Sequence, residues 1–250
     1  YSAERMTELP LCLIGVAIGT VILPSLSARH AEQDLERFRG MIDWAARVII
    51  MVGVPASVAL FMLSTPIIQT LFQRGEFTAE DTHMTSLALQ CMSGGVLAFM
   101  LIKVFAPGFY AQQDTKTPVR VGLMAVAANA ILNVILISFF KMIHWHAEHM
   151  ALGIASSGSA FVNAGMLYYY LHKRNIYRFG AHWKKIFAQY GFANLCMAGA
   201  LAYGLHLYDG HLSTWMKIVE LTALCVVGAA AYTIGLLLSG FRPRHLRPEH

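Results

Sequence analysis

The chain has 250 residues, of which 56% are hydrophobic and 13% charged, with a formal net charge of +5. A water-soluble domain carries about 25% charged residues, so an aqueous globular enzyme or a nucleic-acid-binding module is a poor fit. The polar residues cluster between long apolar runs instead of alternating with apolar ones, which also excludes the ten-residue dyad pattern of an outer-membrane barrel.

Seven apolar runs, each near the length needed to cross a ~30 Å hydrocarbon layer, follow one another in the chain. They cover roughly 8–27, 45–72, 84–110, 119–140, 150–171, 187–207 and 216–240. The predicted fold is therefore all-α, a polytopic transmembrane helix bundle. Pro10, Pro24, Pro55, Pro66 and Pro107 lie in or beside the first three runs. Each removes a backbone donor and predicts a kink or an end. Gly15 and Gly19 form a Gly-x-x-x-Gly pair in the first run, and Gly153, Ser156, Ser157, Gly158 and Ser159 make a small, weakly polar stretch in the fifth. Both suit close helix contact. Cys12, Cys91, Cys196 and Cys225 fall singly in apolar runs, a spacing that suggests neither a disulfide framework nor a zinc site.

The loops between the runs carry an orientation signal, because cytoplasmic loops retain Lys and Arg. Of the 19 Lys and Arg residues, thirteen fall on one side if odd-numbered loops share a face, among them Arg29, Arg39, Lys116, Arg174, Lys185 and Arg242. Arg5, Arg74, Lys141 and Lys217 fall on the other side, and Arg47 and Lys103 lie inside or at the end of runs. The first residue is expected to be periplasmic and the C-terminus cytoplasmic. The positive charge is a topology signal spread over separate loops and does not form a nucleic-acid surface.

Ionisable and amide groups within the runs are costly, so each one needs a role or a partner. Arg5 stands at the start of the first run with Glu8 at i+3 on the same face; the pair reads equally as a helix-end anchor or as a functional cation. Lys103 sits well inside the third run, where its stem reaches either the interface or a cavity. Asn129 and Asn133 share one face of an apolar helix, which predicts a hydrogen-bonded partner helix, water or an ion. Asp43, Arg47 and Glu220 lie near run ends and are expected to be solvated at the interface. His144, His146 and His149 cluster in a short loop, in a spacing that matches no metalloenzyme signature.

Three motifs carry more specific information. Lys103 to Pro118 reads Lys-Val-Phe-Ala-Pro-Gly-Phe-Tyr-Ala-Gln-Gln-Asp-Thr-Lys-Thr-Pro; the chain opens Tyr-Ser-Ala-Glu-Arg-Met-Thr-Glu-Leu-Pro; and Gln73-Arg74-Gly75-Glu76-Phe77-Thr78 precedes Asp81-Thr82. In this order and spacing they closely resemble signatures of the MurJ (MviN) family, lipid II flippases of bacterial cell-wall synthesis. The resemblance covers essentially the whole chain. It implies the second half of a fourteen-helix protein of the bacterial inner membrane, with 1–180 forming most of the second transporter lobe and 181–250 two groove helices and a basic tail. It further implies alternating access without enzymatic chemistry or a cofactor. The partner it implies is the undecaprenyl-diphosphate-linked peptidoglycan precursor, with Arg5 on the diphosphate and Glu8 and Lys103 beside it. Some relatives hold a sodium ion between an Asn and an Asp at the spacing of Asn129 and Asn133; here the second residue is an amide, which puts a monovalent cation in doubt. A polysaccharide or multidrug exporter of the same superfamily, and a non-transport polyprenyl-phosphate enzyme or scaffold using the histidine loop, remain as alternatives.

Overall fold

The computed structural model describes residues 6–8, 17–72, 78–142, 148–208 and 214–241. Met6–Glu8 is helical, and eight longer helices follow: α1 (Ala17–Ala31), α2 (Leu35–Met62), α3 (Ser64–Phe72), α4 (Ala79–Tyr110), α5 (Lys116–Met142), α6 (Glu148–Lys173), α7 (Trp183–His206) and α8 (Thr214–Leu238). At ~1.5 Å per residue, the 32 residues of α4 extend beyond the hydrocarbon layer at both ends. Among the described residues five helices, α2, α4, α5, α6 and α8, are long and apolar enough to cross a membrane. In α7 the polar groups Lys184, Lys185, Gln189 and Asn194 dilute the apolar character.

The second predicted span is not one helix. It is broken at Leu63 into α2 and α3. Pro66 has no N–H to offer the carbonyl of Met62, and its ring crowds that same turn, so the ladder is interrupted there and restarts. The restart is visible in Leu63 N–H donating to Ala59 O at 2.8 Å and Ile67 N–H donating to Leu63 O at 2.9 Å. At the other end, α2 begins ten residues before its apolar run. Asp34 caps it by accepting from the Arg37 backbone N–H at 3.0 Å, which satisfies one of the orphan donors of the first turn.

Helix α4 is central, packing against α6, α2, α1 and α3; α5 packs on α6; and the α7–α8 pair rests on α2 and α3. The main core is formed by Ile42, Ile49, Met100, Phe105, Phe109 and Leu171. The small residues predicted for close packing do that work between α4 and α6. A methyl added at Gly95 would lie 2.8 Å from Ser157 Cα, and one at Gly153 would lie 2.8 Å from Cys91 Cβ. Ser157 Oγ donates across the same contact to Cys91 O at 2.7 Å. The Gly15–Gly19 side of α1, Cys12 and the histidine loop at 144 and 146 lie outside the described side chains.

Much of the outer surface is apolar. On α5, Leu123, Val126, Ile131 and Val134 are more than half exposed, as are Val219, Leu237 and Leu238 on α8. Apolar surface this continuous is what a hydrocarbon solvent covers and water does not. Backbone satisfaction follows the same logic: α1, α4, α6 and α8 all finish with a left-handed residue, Gln33 (φ 56°), Gln113 (φ 60°), Asn175 (φ 52°) and Gly240 (φ 79°). In each, the next N–H reaches back five residues, for example Asp114 N–H to Phe109 O at 3.0 Å, closing carbonyls that the helix end leaves unpaired.

Candidate functional site

The ends of α1, α4, α6 and α8 and the starts of α2, α5 and α7 meet at one end of the bundle, the basic end. Three polar assemblies hold it together, and the Lys103–Pro118 motif supplies one of them. Asp114 accepts from the Thr117 backbone N–H at 3.0 Å and from Thr117 Oγ1 at 2.6 Å, which caps the start of α5. Arg174, beyond the end of α6, donates to Asp114 Oδ2 at 2.6 Å and to Thr117 Oγ1 at 2.9 Å, and its guanidinium lies 5.5 Å from the centre of the Phe109 ring. The hydrogen bonds from Thr117, then those from Arg174 with its charge, hold the Asp114 carboxyl down at about 2. The motif therefore fastens the α4–α5 turn to the α6–α7 turn.

Arg39 fastens the same α6–α7 turn to α2, its Nε donating to Ile176 O at 3.1 Å and its Nη2 to Asn175 O. The third assembly centres on Asp43. Sequence reasoning places Asp43 and Arg47 in interfacial water; in the structure Asp43 is buried. Its two oxygens accept from Tyr177 OH at 2.8 Å, Trp183 Nε1 at 2.7 Å and both Nε and Nη2 of Arg47, with His182 Nε2 at 3.2 Å. The discrepancy has a simple cause. Tyr177, His182 and Trp183 come from a segment some 135 residues downstream, and only tertiary packing brings their donors over the first turns of α2. A buried carboxylate is tolerable when its lone pairs are filled and its charge is paired, and both conditions hold here.

Arg5 lies outside the described residues, and Glu8 is exposed. Lys103 projects from the exposed side of α4, the side that also carries Tyr110 one and a half to two turns on, and among the described residues it has no ion-pair partner. Asn129 and Asn133 do act together: Asn133 Nδ2 donates to Asn129 Oδ1 at 2.8 Å, and Asn129 Nδ2 donates to Ser159 Oγ on α6 at 3.1 Å. Asn133 Oδ1 is buried without a partner. The third motif forms a capping box, with Asp81 N–H donating to Thr78 Oγ1 at 3.1 Å and Thr78 N–H donating to Asp81 Oδ2 at 3.0 Å; residues 73–77 lie outside the described segments. Among the described residues no three His, Cys, Asp or Glu side chains gather as metal ligands.

An apolar recess lies between α2, α7 and α8. It measures about 380 Å³ and is walled by Pro55, Ala59, Leu201, Gly228 and Tyr232, among others. Tyr232 OH is anchored to the carbonyl of Met51, so the polar tip is satisfied and the ring is left to the apolar wall. Gly228 and Ala229 leave the recess open by having no bulk to fill it.

A bundle of long apolar helices, with an apolar outer surface and small-residue helix contacts, defines a multi-pass membrane protein. The family model described as "Lipid II flippase MurJ" matches residues 1–223, and the chain belongs to that family. It is 39% identical over 253 residues to the "Probable lipid II flippase MurJ" of Vibrio cholerae, a match covering 99% of this chain and 46% of that protein. It is 36% identical to the Haemophilus influenzae protein of the same description and 34% identical to the "Lipid II flippase MurJ" of Burkholderia cenocepacia, over 98% of this chain in each case. The chain thus spans about half the length of the curated relatives it matches. A solved structure described as "Lipid II flippase MurJ, inward closed conformation" superposes with a TM-score of 0.71 at 23% identity, covering 98% of this chain and 47% of that one, which supports the fold.

Proposed function

We propose that the chain works as one half of an inner-membrane flippase that moves lipid II, the diphosphate-linked peptidoglycan precursor, by alternating access. The observation that carries this reading is the family match over 1–223, joined to a bundle whose outer surface is apolar and whose α4 presents a lysine on an open side. A sugar-peptide-diphosphate head does not cross hydrocarbon unaided, while a polyprenyl tail is at home there. The division of labour follows from that difference: 1–180 contributes a wall of the headgroup cavity, and the recess between α2, α7 and α8 takes an apolar chain. Arg5 is assigned to the diphosphate because a guanidinium offers a fork of donors and a permanent charge, with Glu8 orienting it and Lys103 adding charge along the path. The basic end is assigned to the cytoplasm by its excess of Lys and Arg. No step in this reading needs bond-making chemistry.

The test is rescue of flippase-depleted cells by the full-length protein. Arg5→Ala is expected to abolish rescue at normal protein level, and Arg5→Lys to rescue partly, since it keeps the charge and loses the fork. Full rescue by Arg5→Ala removes Arg5 from the site. Orientation is tested by single cysteines in intact spheroplasts. A cysteine within 76–80 is expected to react with a membrane-impermeant thiol reagent and one within 111–118 to be protected; the reverse pattern overturns the assignment. Replacing His144, His146 and His149 together is expected to leave rescue intact, whereas a polyprenyl-phosphate enzyme built on that loop would lose activity.

A further inference from the structure

At the basic end a second recess, distinct from the apolar one, opens between the start of α7, the first turns of α2 and the end of α8. It holds about 220 Å³. One side carries the cations Arg47 and Lys185 beside the His182 ring; the other is apolar and aromatic, with Ile186, Tyr190 and Phe241. Among the described residues no acidic side chain lines it. Asp43 stands behind Arg47, but its oxygens are already filled by Arg47 Nε and Nη2, Tyr177, Trp183 and the His182 ring. That arrangement fixes the guanidinium plane and, among the described residues, leaves the Arg47 Nη1 donors uncommitted. The far wall is equally rigid, because Gln189 Nε2 donates to Ser239 O at 2.9 Å and ties α7 to the end of α8.

The local sequence also runs against ordinary helix electrostatics. A helix start favours acidic side chains and disfavours lysines, yet the first turn of α7 has no acidic residue, carries Lys184 and Lys185, and has no side-chain cap at His182. An anion in the recess relieves that conflict, with the helix start adding to the side-chain charge. From the cavity and its lining we propose that this recess binds the phosphate of an anionic phospholipid headgroup. Arg47 and Lys185 hold the phosphate oxygens, and Ile186, Tyr190 and Phe241 cover the glycerol and the first methylenes. Inorganic phosphate shares the anionic chemistry but gains nothing from the apolar wall, and the neighbouring surface of α7 exposes the apolar side chains Phe187 and Leu195. Basic pockets between membrane helices at the cytoplasmic side suit such headgroups. The inference does not depend on what the protein transports.

The test uses the full-length protein in non-ionic detergent, with bound lipid counted by native mass spectrometry during titration with phosphatidylglycerol, phosphatidylcholine or inorganic phosphate. Phosphatidylglycerol is expected to be retained in preference to phosphatidylcholine. Lys185→Gln is expected to weaken its retention about tenfold, the loss of one charge-assisted hydrogen bond. Lys184→Gln removes the same charge one position round the helix, outside the recess, and is expected to change it less than about twofold, in line with a screened surface charge. Equal losses in the two variants, or equal retention of the two lipids, would overturn the site. Phosphate that displaces phosphatidylglycerol fully at millimolar concentration would overturn the lipid assignment and leave an inorganic anion as the ligand. Lys185 is exposed and takes no part in the Asp43 assembly, so the variant leaves the fold in place.

Discussion

Gly94 and Gly95 are adjacent in α4, and they provide an internal control for how the α4–α6 contact works. A methyl at Gly94 meets nothing within 4 Å, whereas one at Gly95 stands 2.8 Å from both Ser157 Cα and Ser157 Oγ. Ordinary carbon contacts begin near 3.5 Å, so Gly95→Ala forces the two helices apart by about 0.7 Å. The obstacle is backbone, and no rotamer change removes it. The same displacement stretches the 2.7 Å bond from Ser157 Oγ to Cys91 O toward the limit of a useful hydrogen bond. Both substitutions gain the same helix propensity, about 0.8–1 kcal/mol. Overpacking costs about 1–3 kcal/mol and the strained hydrogen bond about 1 kcal/mol more. Gly94→Ala is therefore expected to match or exceed the parent in thermal stability, measured on the purified protein in detergent, and Gly95→Ala to fall below it by about 1–3 kcal/mol. Adding Ser157→Gly to Gly95→Ala is expected to restore little, because Ser157 Cα remains in the way. Equal stability of the two alanine variants would refute the close-packing argument.

Three further outcomes follow from the polar assemblies. Asp43→Ala strips the shared acceptor from Arg47, Tyr177 and Trp183 and is expected to destabilise the protein by about 3–5 kcal/mol, with Asp43→Asn milder, as read from thermal unfolding in detergent. Asp114, held at about 2 against an ordinary 3.8, is a carboxylate with a depressed folded value. Its contribution is complete above about pH 4 and is lost as pH falls toward 2, so acid unfolding should show a steeper slope in that window for the parent than for Asp114→Asn. For the amide pair, sodium is expected to stabilise the unmodified protein weakly and Asn133→Asp strongly; strong sodium stabilisation of the parent that disappears in Asn129→Ala would show that the neutral oxygens suffice.

The membrane setting, the helical class and the family were legible in the sequence, because each rests on local chemistry. Apolar length decides insertion, loop charge biases orientation, and a motif such as 103–118 keeps its residues together in the chain. The small-residue contact on α6 was readable for the same reason. What the tertiary structure decided concerns partners distant in sequence. Asp43 reads as a solvated interfacial carboxylate until Tyr177, His182 and Trp183 fold over it. The Asp-x-x-Thr of the 103–118 motif acquires its purpose only when Arg174, 60 residues away, reaches Asp114. The break at Leu63 was half visible, since Pro66 announces a fault in the helix, but whether a membrane helix kinks, stops or restarts depends on the neighbours that re-satisfy its backbone. Arg5 and Lys103 mark the remaining boundary: a cation within an apolar run signals a role, while the group it faces is set by the three-dimensional arrangement of helices around it.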